Sequence, residues 1–316
     1  MPATINNNYT YIKTSLAQMK LLQLIRFQDL LLIAFTQLIF RYGFFEMQPD
    51  MPLALNNWQY ILLVLACGLI AAGGFLINNI LDRNNTIDIA EGKAYNIYAG
   101  LNIAGVGIAF YLANAIGKPS FSAVFIVVAA TLYLYASTLR QSLLIGNILI
   151  ALIVPLSILI VGVFDLYPVI IPENRTALGI IFELLLDYAF FVFIMVLLRE
   201  IVKDIRDTDA DYNSGRSTLP IVLGRERAAK VAFIFTLLPL GLLLYYANAY
   251  MLNLLIALVY GLLLIVGPLI YFAIKIWTAK TPRDFGHLSL VLKLVLFFTA
   301  LSIVVVTFNI FYNAQG

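Results

Sequence analysis

The sequence predicts an all-α membrane protein of about nine transmembrane helices, and three observations carry that reading. Hydrophobic residues make up 62% of the chain and charged residues 12%, with a mean hydropathy of +0.93, a balance foreign to soluble globular domains. Apolar stretches of about 20 residues recur along almost the whole length, and each is long enough to cross a hydrocarbon core roughly 30 Å thick. The basic residues sort to one side of those stretches, as the positive-inside rule requires of a multi-pass protein.

Residues 1–25 are polar and mixed, with Asn6, Asn7 and Asn8 in a row and Lys13 and Lys20 beyond them. No apolar core followed by a small-residue cleavage site is present there, so a signal peptide is not expected. The segment reads as a short cytoplasmic arm, and residues 26–316 as one multi-pass domain. The expected spans run over 28–45, 59–81, 95–115, 120–138, 143–164, 179–202, 229–249, 252–274 and 288–311. With the N-terminus cytoplasmic, sixteen Lys and Arg residues fall inside, and Lys118 and Arg175 fall outside. Arg41 and Lys293 lie within spans near a helix end, where snorkelling to the interface is the ordinary reading. The small residues Gly68, Ala71, Ala72, Gly73 and Gly74 of the second span are expected to serve close helix packing.

A single cysteine, Cys67, excludes disulfides and thiolate metal sites, and a single histidine, His287, leaves little room for histidine-ligated metal, haem or a Ser/His/Asp triad. Neither G-x-x-x-x-G-K-[ST] nor a strand-borne G-x-G-x-x-G occurs, so no nucleotide-binding loop is read. The net charge of +3 is small, and nucleic acid is not an expected partner.

Chemistry concentrates in the stretch Arg199 to Gly224, REIVKDIRDTDADYNSGRSTLPIVLG. On a helix, Glu200, Asp204, Asp207 and Asp211 stand at i, i+4, i+7 and i+11, all on one face. Two carboxylates about 4 Å apart repel by roughly 4 kcal/mol at an effective dielectric near 20, so such a stripe calls for counter-charge. Oxygen-only ligands suit Mg²⁺, which keeps waters and bridges to substrate phosphates. A second stretch, INNILDRNNTID at Ile77 to Asp88, places Asn78 and Asp82 one helical turn apart at the end of another span. Glu183 and Asp187, near the outer end of the sixth span, are weaker candidates for the same site.

If the two motif helices face one another, their oxygens would hold Mg²⁺, and the metal would hold a diphosphate. Cations stand at the same membrane level: Arg26 opens the first span, Arg140 follows the fourth, and Lys203 and Arg206 lie within the second motif. Ion pairing and bridging metal together capture diphosphate. An apolar bundle beside that group suits a lipid diphosphate better than a nucleotide. Drawing charge onto the departing diphosphate would leave an allylic cation, which Tyr and Phe faces stabilise.

The pairing of N-x-x-x-D at the end of the second span with D-x-x-D-x-x-x-D after the sixth resembles the UbiA superfamily of intramembrane prenyltransferases, over most of the chain. LIRFQDLLL at Leu24 to Leu32 and LYASTLRQSLLIGN at Leu134 to Asn147 are similar to two further family segments. The REIVKD and TLPIVLG phrases resemble the bacterial branch labelled geranylgeranylglyceryl-phosphate transferase-like. The resemblance implies helices around a central cavity, Mg²⁺-dependent loss of diphosphate from a prenyl diphosphate, and attack on the prenyl cation by an acceptor. By motif position it implies that Asn78, Asp82, Asp204, Asp207 and Asp211 are metal or diphosphate residues. It further implies that Arg26, Arg140 and Lys203 bind diphosphate, and that Tyr135 lines the reacting end. The expected location is the bacterial cytoplasmic membrane, with the active-site loops cytoplasmic.

The first motif departs from the family pattern N-D-x-x-D-x-x-x-D, with Asn79 for the first Asp and Thr86 for the last; Asp29 stands where Asn is common. Asp88 would replace the last acid only if the helix were interrupted, because on a continuous helix it lies about 120° off the Asp82 face. The leading expectation is transfer of an isoprenoid to a prenylglyceryl phosphate lipid. An aromatic acceptor of quinone biosynthesis, a noncatalytic prenyl-lipid binder and a cation-coupled transporter are the alternatives.

Overall fold

Backbone amides and carbonyls have no water to bond in hydrocarbon, so a chain of this composition must satisfy them within helices. The computed structural model, which describes residues 21–82 and 90–315, does so throughout: every element is helical. In chain order the helices are α1 (Phe27–Phe40), α2 (Asn57–Ile80), α3 (Glu91–Ala115), α4 (Ser122–Ser137) and α5 (Ile145–Asp165), followed by α6 (Arg175–Asn213) and the short α7 (Leu219–Leu223). Then come α8 (Arg225–Tyr246), α9 (Leu255–Gly261), α10 (Gly267–Ile276) and α11 (Pro282–Gln315).

Eight helical stretches among the described residues are long and apolar enough to cross a membrane. The remaining predicted span is α1, which continues through a π-helical turn at Arg41–Phe45. The protein is therefore an integral multi-pass membrane protein. The predicted span 252–274 is two helices joined by a π turn at Leu262–Val266. The largest departure from the predicted edges is α6, whose 39 residues extend about 58 Å where about 30 Å of hydrocarbon needs covering. The apolar run ends near Leu198, but no Gly or Pro follows until Gly215, so the helix carries on and presents the acid motif.

Packing sets two motif ends at one level. The small face of α2 receives α3 and α4 closely: a Cβ added at Gly73 would lie 2.6 Å from Asn102 Nδ2 of α3. α5 packs along α6, and α11 packs on α6 and α1. Phe40, Phe45, Tyr60, Phe164, Phe272 and Phe285 are the largest buried side chains.

At the opposite end, Arg41 is 3% exposed and does not snorkel. Its Nη1 lies 2.5 Å from Asp165 Oδ2, its Nε 3.0 Å from Glu46 Oε1, and its Nη2 donates to the Leu55 carbonyl at 2.8 Å. Lys293 likewise turns inward, its Nζ 2.7 Å from Asp29 Oδ1. Glu183 and Asp187 are exposed on α6 and lie outside the cavity described next.

Candidate functional site

A cavity of about 280 Å³ opens between the motif ends of α1, α2, α5 and α6. Its mouth is charged: Arg26, Asp29, Arg140, Arg199, Glu200, Lys203, Asp204, Arg206, Asp207, Asp211 and Arg216 line it, with Asn78 and Asn147. Its interior is apolar, with Ile33, Cys67, Ile70, Phe125, Val128 and Ile160 among the lining residues. Tyr135 and Phe75 also line it.

Each wall follows from local sequence. The four acids of α6 share a face because their spacing follows the helical period, and all four line the cavity. Arg26 precedes α1 with φ 51, a left-handed conformation that costs a non-glycine residue roughly 1–2 kcal/mol. That break separates α1 from the helical turn before it, and the guanidinium stacks over the Phe75 ring at 5.4 Å. Arg140 lies on the 3₁₀ turn Leu139–Gln141 between α4 and α5. From there Nη1 reaches Asn78 Oδ1 at 3.0 Å and Nη2 reaches Asp82 Oδ2 at 2.9 Å.

The α6 terminus is a Schellman cap. Gly215, at φ +72, donates its N–H to the Tyr212 carbonyl, and Arg216 donates its N–H to the Asp211 carbonyl, both at 3.0 Å. The turn sends the Arg216 side chain back to the site, where Nη1 lies 2.6 Å from Asp211 Oδ1 and Nη2 lies 2.9 Å from Asp82 Oδ1. Burial opposes its charge, but the Asp82 and Asp211 carboxylates hold the guanidinium above its ordinary value.

The other acids are also engaged. Lys203 Nζ lies 2.7 Å from Glu200 Oε2, Arg206 Nη2 lies 2.6 Å from Asp207 Oδ2, and Asn147 Nδ2 donates to Asp204 Oδ2 at 2.7 Å. The two sequence motifs thus meet through Arg216, which pairs with Asp82 of the first and Asp211 of the second. Asn79 turns elsewhere, donating to the Leu24 carbonyl at 2.7 Å and the Phe75 carbonyl at 3.0 Å. Thr86 and Asp88 lie outside the described residues.

The donor chemistry fits Mg²⁺. The stripe of Asp204, Asp207 and Asp211, with Asn78 opposite, offers oxygen alone. No group of three or more acids, His or Cys among the described residues closes into a cage.

Sequence reading counted Arg216 and Arg199 only as cytoplasmic charge and passed over Asn147 as a ligand of Asp204. Arg216 was findable: a Gly four residues after an acid stripe marks a helix stop, and the next residue then folds back on that helix. Nothing in the sequence singled out Arg199, whose Nε is buried without a hydrogen-bond partner among the described residues.

No family model matches the chain. Among curated proteins, the digeranylgeranylglyceryl phosphate synthase of Methanosphaera stadtmanae is 29% identical over 230 residues, 68% of this chain and 75% of the relative. The enzyme of that name from Thermococcus gammatolerans is 32% identical over 184 residues, 55% of this chain and 60% of the relative. A solved digeranylgeranylglyceryl phosphate synthase superposes with a TM-score of 0.62 at 20% identity, covering 92% of this chain and 98% of the other. A UbiA homologue from Archaeoglobus fulgidus, bound to DMAPP and Mg²⁺, superposes with a TM-score of 0.58 at 16% identity, covering 90% and 99%. These superpositions establish a shared fold.

Proposed function

We propose, for a chain that belongs to the UbiA superfamily of intramembrane prenyltransferases, that it moves an isoprenoid from a prenyl diphosphate to the hydroxyl of a prenylglyceryl phosphate at the cytoplasmic face of its membrane. The observation that carries this reading is the cavity itself, charged at its mouth and apolar within. It offers a diphosphate ion pairs at the rim and a polyisoprenoid a dry interior. The sixteen-to-two distribution of basic residues supports a cytoplasmic mouth.

Arg26, Arg140 and Lys203 are the proposed diphosphate ligands, and Asn78, Asp82, Asp204, Asp207 and Asp211 the proposed metal residues. Bound there, Mg²⁺ would stabilise the negative charge that develops as the diphosphate leaves. The side chains bind and orient the headgroup, so that its carbon–oxygen bond lies below the charged rim. Tyr135 lines the reacting end, where an aromatic ring stabilises the positive charge that grows on the allylic carbon. The acceptor hydroxyl attacks that carbon, forming the ether bond as the carbon–oxygen bond to diphosphate breaks and passing its proton to the departing diphosphate, while the apolar lining below the rim disfavours competing water.

The lipid acceptor is preferred to an aromatic one because the mouth holds a cation beyond those the diphosphate needs. Arg199, whose Nε is buried without a hydrogen-bond partner among the described residues, suits the phosphate of a second anionic lipid. The curated relatives named above bear names of the same acceptor class. Incubating membranes with prenyl diphosphates and either prenylglyceryl phosphate or an aromatic acid tests this reading: transfer to the glyceryl phosphate supports it, and transfer only to the aromatic acid refutes it.

A further inference from the structure

We infer that Arg216 is a resident cation of the site, bridging Asp82 and Asp211 as a divalent ion otherwise would, so that this chain captures diphosphate with one metal ion plus Arg216. The inference rests on the transferase reading and deepens it. Arg216 stands between the two motifs, with Nη2 2.9 Å from Asp82 Oδ1 and Nη1 2.6 Å from Asp211 Oδ1. The second Asp82 oxygen accepts from Arg140 Nη2 at 2.9 Å, and Asn78 Oδ1 accepts from Arg140 Nη1 at 3.0 Å. Both carboxylate oxygens of Asp82 and the Asn78 Oδ1 therefore already meet a guanidinium. A metal entering between the motifs would have to displace an arginine from a position 11% exposed.

Arg216 is built into that position. The Schellman cap fixes its backbone through the Asp211 carbonyl, and the next N–H, that of Ser217, donates to the Gln141 carbonyl at 3.1 Å. The turn carrying Arg216 is thereby tied to the turn carrying Arg140, so both guanidinium groups form one unit across the mouth. A guanidinium stays charged at any physiological pH and carries five N–H donors in a planar fork. Two of them serve Asp82 and Asp211, which leaves three for a phosphate oxygen. Of the proposed metal residues this leaves Asp204 and Asp207 for the single ion: Arg206, which pairs with Asp207, is 34% exposed and open to displacement, whereas Arg216 is 11% exposed.

Counting metal in the bound complex tests the assignment. The purified full-length chain is titrated with Mn²⁺ beside a non-ionisable geranylgeranyl thiodiphosphate, and bound Mn²⁺ is measured by electron paramagnetic resonance. The wild type is expected to hold one Mn²⁺ per chain. Arg216→Gln, which frees Asp82 Oδ1 and Asp211 Oδ1, is expected to hold two and to need at least tenfold more Mn²⁺ for half-maximal analogue binding. Arg216→Lys is expected to stay at one, because the charge remains. Two Mn²⁺ in the wild type with the analogue bound overturns the role of Arg216 and leaves the transferase reading standing. Failure to bind the analogue at any Mn²⁺ concentration overturns both.

Discussion

Arg41 and Asp165 form a buried ion pair at the end of the bundle opposite the cavity, 2.5 Å apart and 3% and 0% exposed. It joins α1 to α5 across 124 residues of chain, and Asp165 Oδ1 also accepts the Leu55 N–H at 3.1 Å. Asp165 is the buried one of the two carboxylates that neutralise this guanidinium; the other, Glu46, is 35% exposed.

Replacing Asp165 with Ala should therefore leave Arg41 with only the 35%-exposed Glu46 as counter-charge and destabilise the protein by up to about 3–5 kcal/mol. Thermal unfolding in detergent reads that loss. The double variant Arg41→Met/Asp165→Leu, which removes both charges, should recover most of it.

Arg140→Ala removes the guanidinium that meets both Asn78 and Asp82. Loss of one preorganised donor at a site of developing charge costs about 2.7–4 kcal/mol, so kcat/KM for prenyl transfer should fall by about 100-fold or more. Lysine should restore only part, since a point charge cannot span both partners. Steady-state kinetics with a fixed acceptor measure this.

Gly215→Ala places a Cβ at φ +72, a strain of roughly 1–2 kcal/mol. The folded state should weaken by that amount, and diphosphate-analogue affinity should fall with it, because Arg216 is positioned by this turn. Arg216→Gln should lose affinity without that loss of stability, which separates positioning from folding.

Much of this architecture is legible in residue order. The period of the apolar runs gives the spans, and the spacing of Asp204, Asp207 and Asp211 places them on one face, as found. What stayed hidden depends on contacts between distant segments. Arg41 sits in a span near a helix end like any snorkelling arginine, and only the approach of α5 reveals Asp165 as its partner. The length of α6 was underestimated because hydropathy reports where lipid ends, whereas a helix continues until a residue stops it. Arg216 reads locally as loop charge; its meaning comes from Asp82, 134 residues away.

The apolar interior sets the room for the isoprenoid. Cys67 and Ile70 of α2 line it together with Phe125 and Val128 of α4. Cys67→Phe should fill part of that space and shift preference from C20 towards C10 prenyl diphosphates, at a packing cost of about 1–3 kcal/mol. Competition between donors of the two lengths reads the change directly.

The proposed role of the acids of α6 is metal-dependent loss of diphosphate from a prenyl lipid. Its most direct test is diphosphate release from geranylgeranyl diphosphate with prenylglyceryl phosphate present, with and without Mg²⁺, in membranes holding the wild type or Asp207→Ala. Release that requires both Mg²⁺ and Asp207, with stoichiometric ether-lipid product, is the predicted result. Equal release without metal, or undiminished release from Asp207→Ala, would contradict the account.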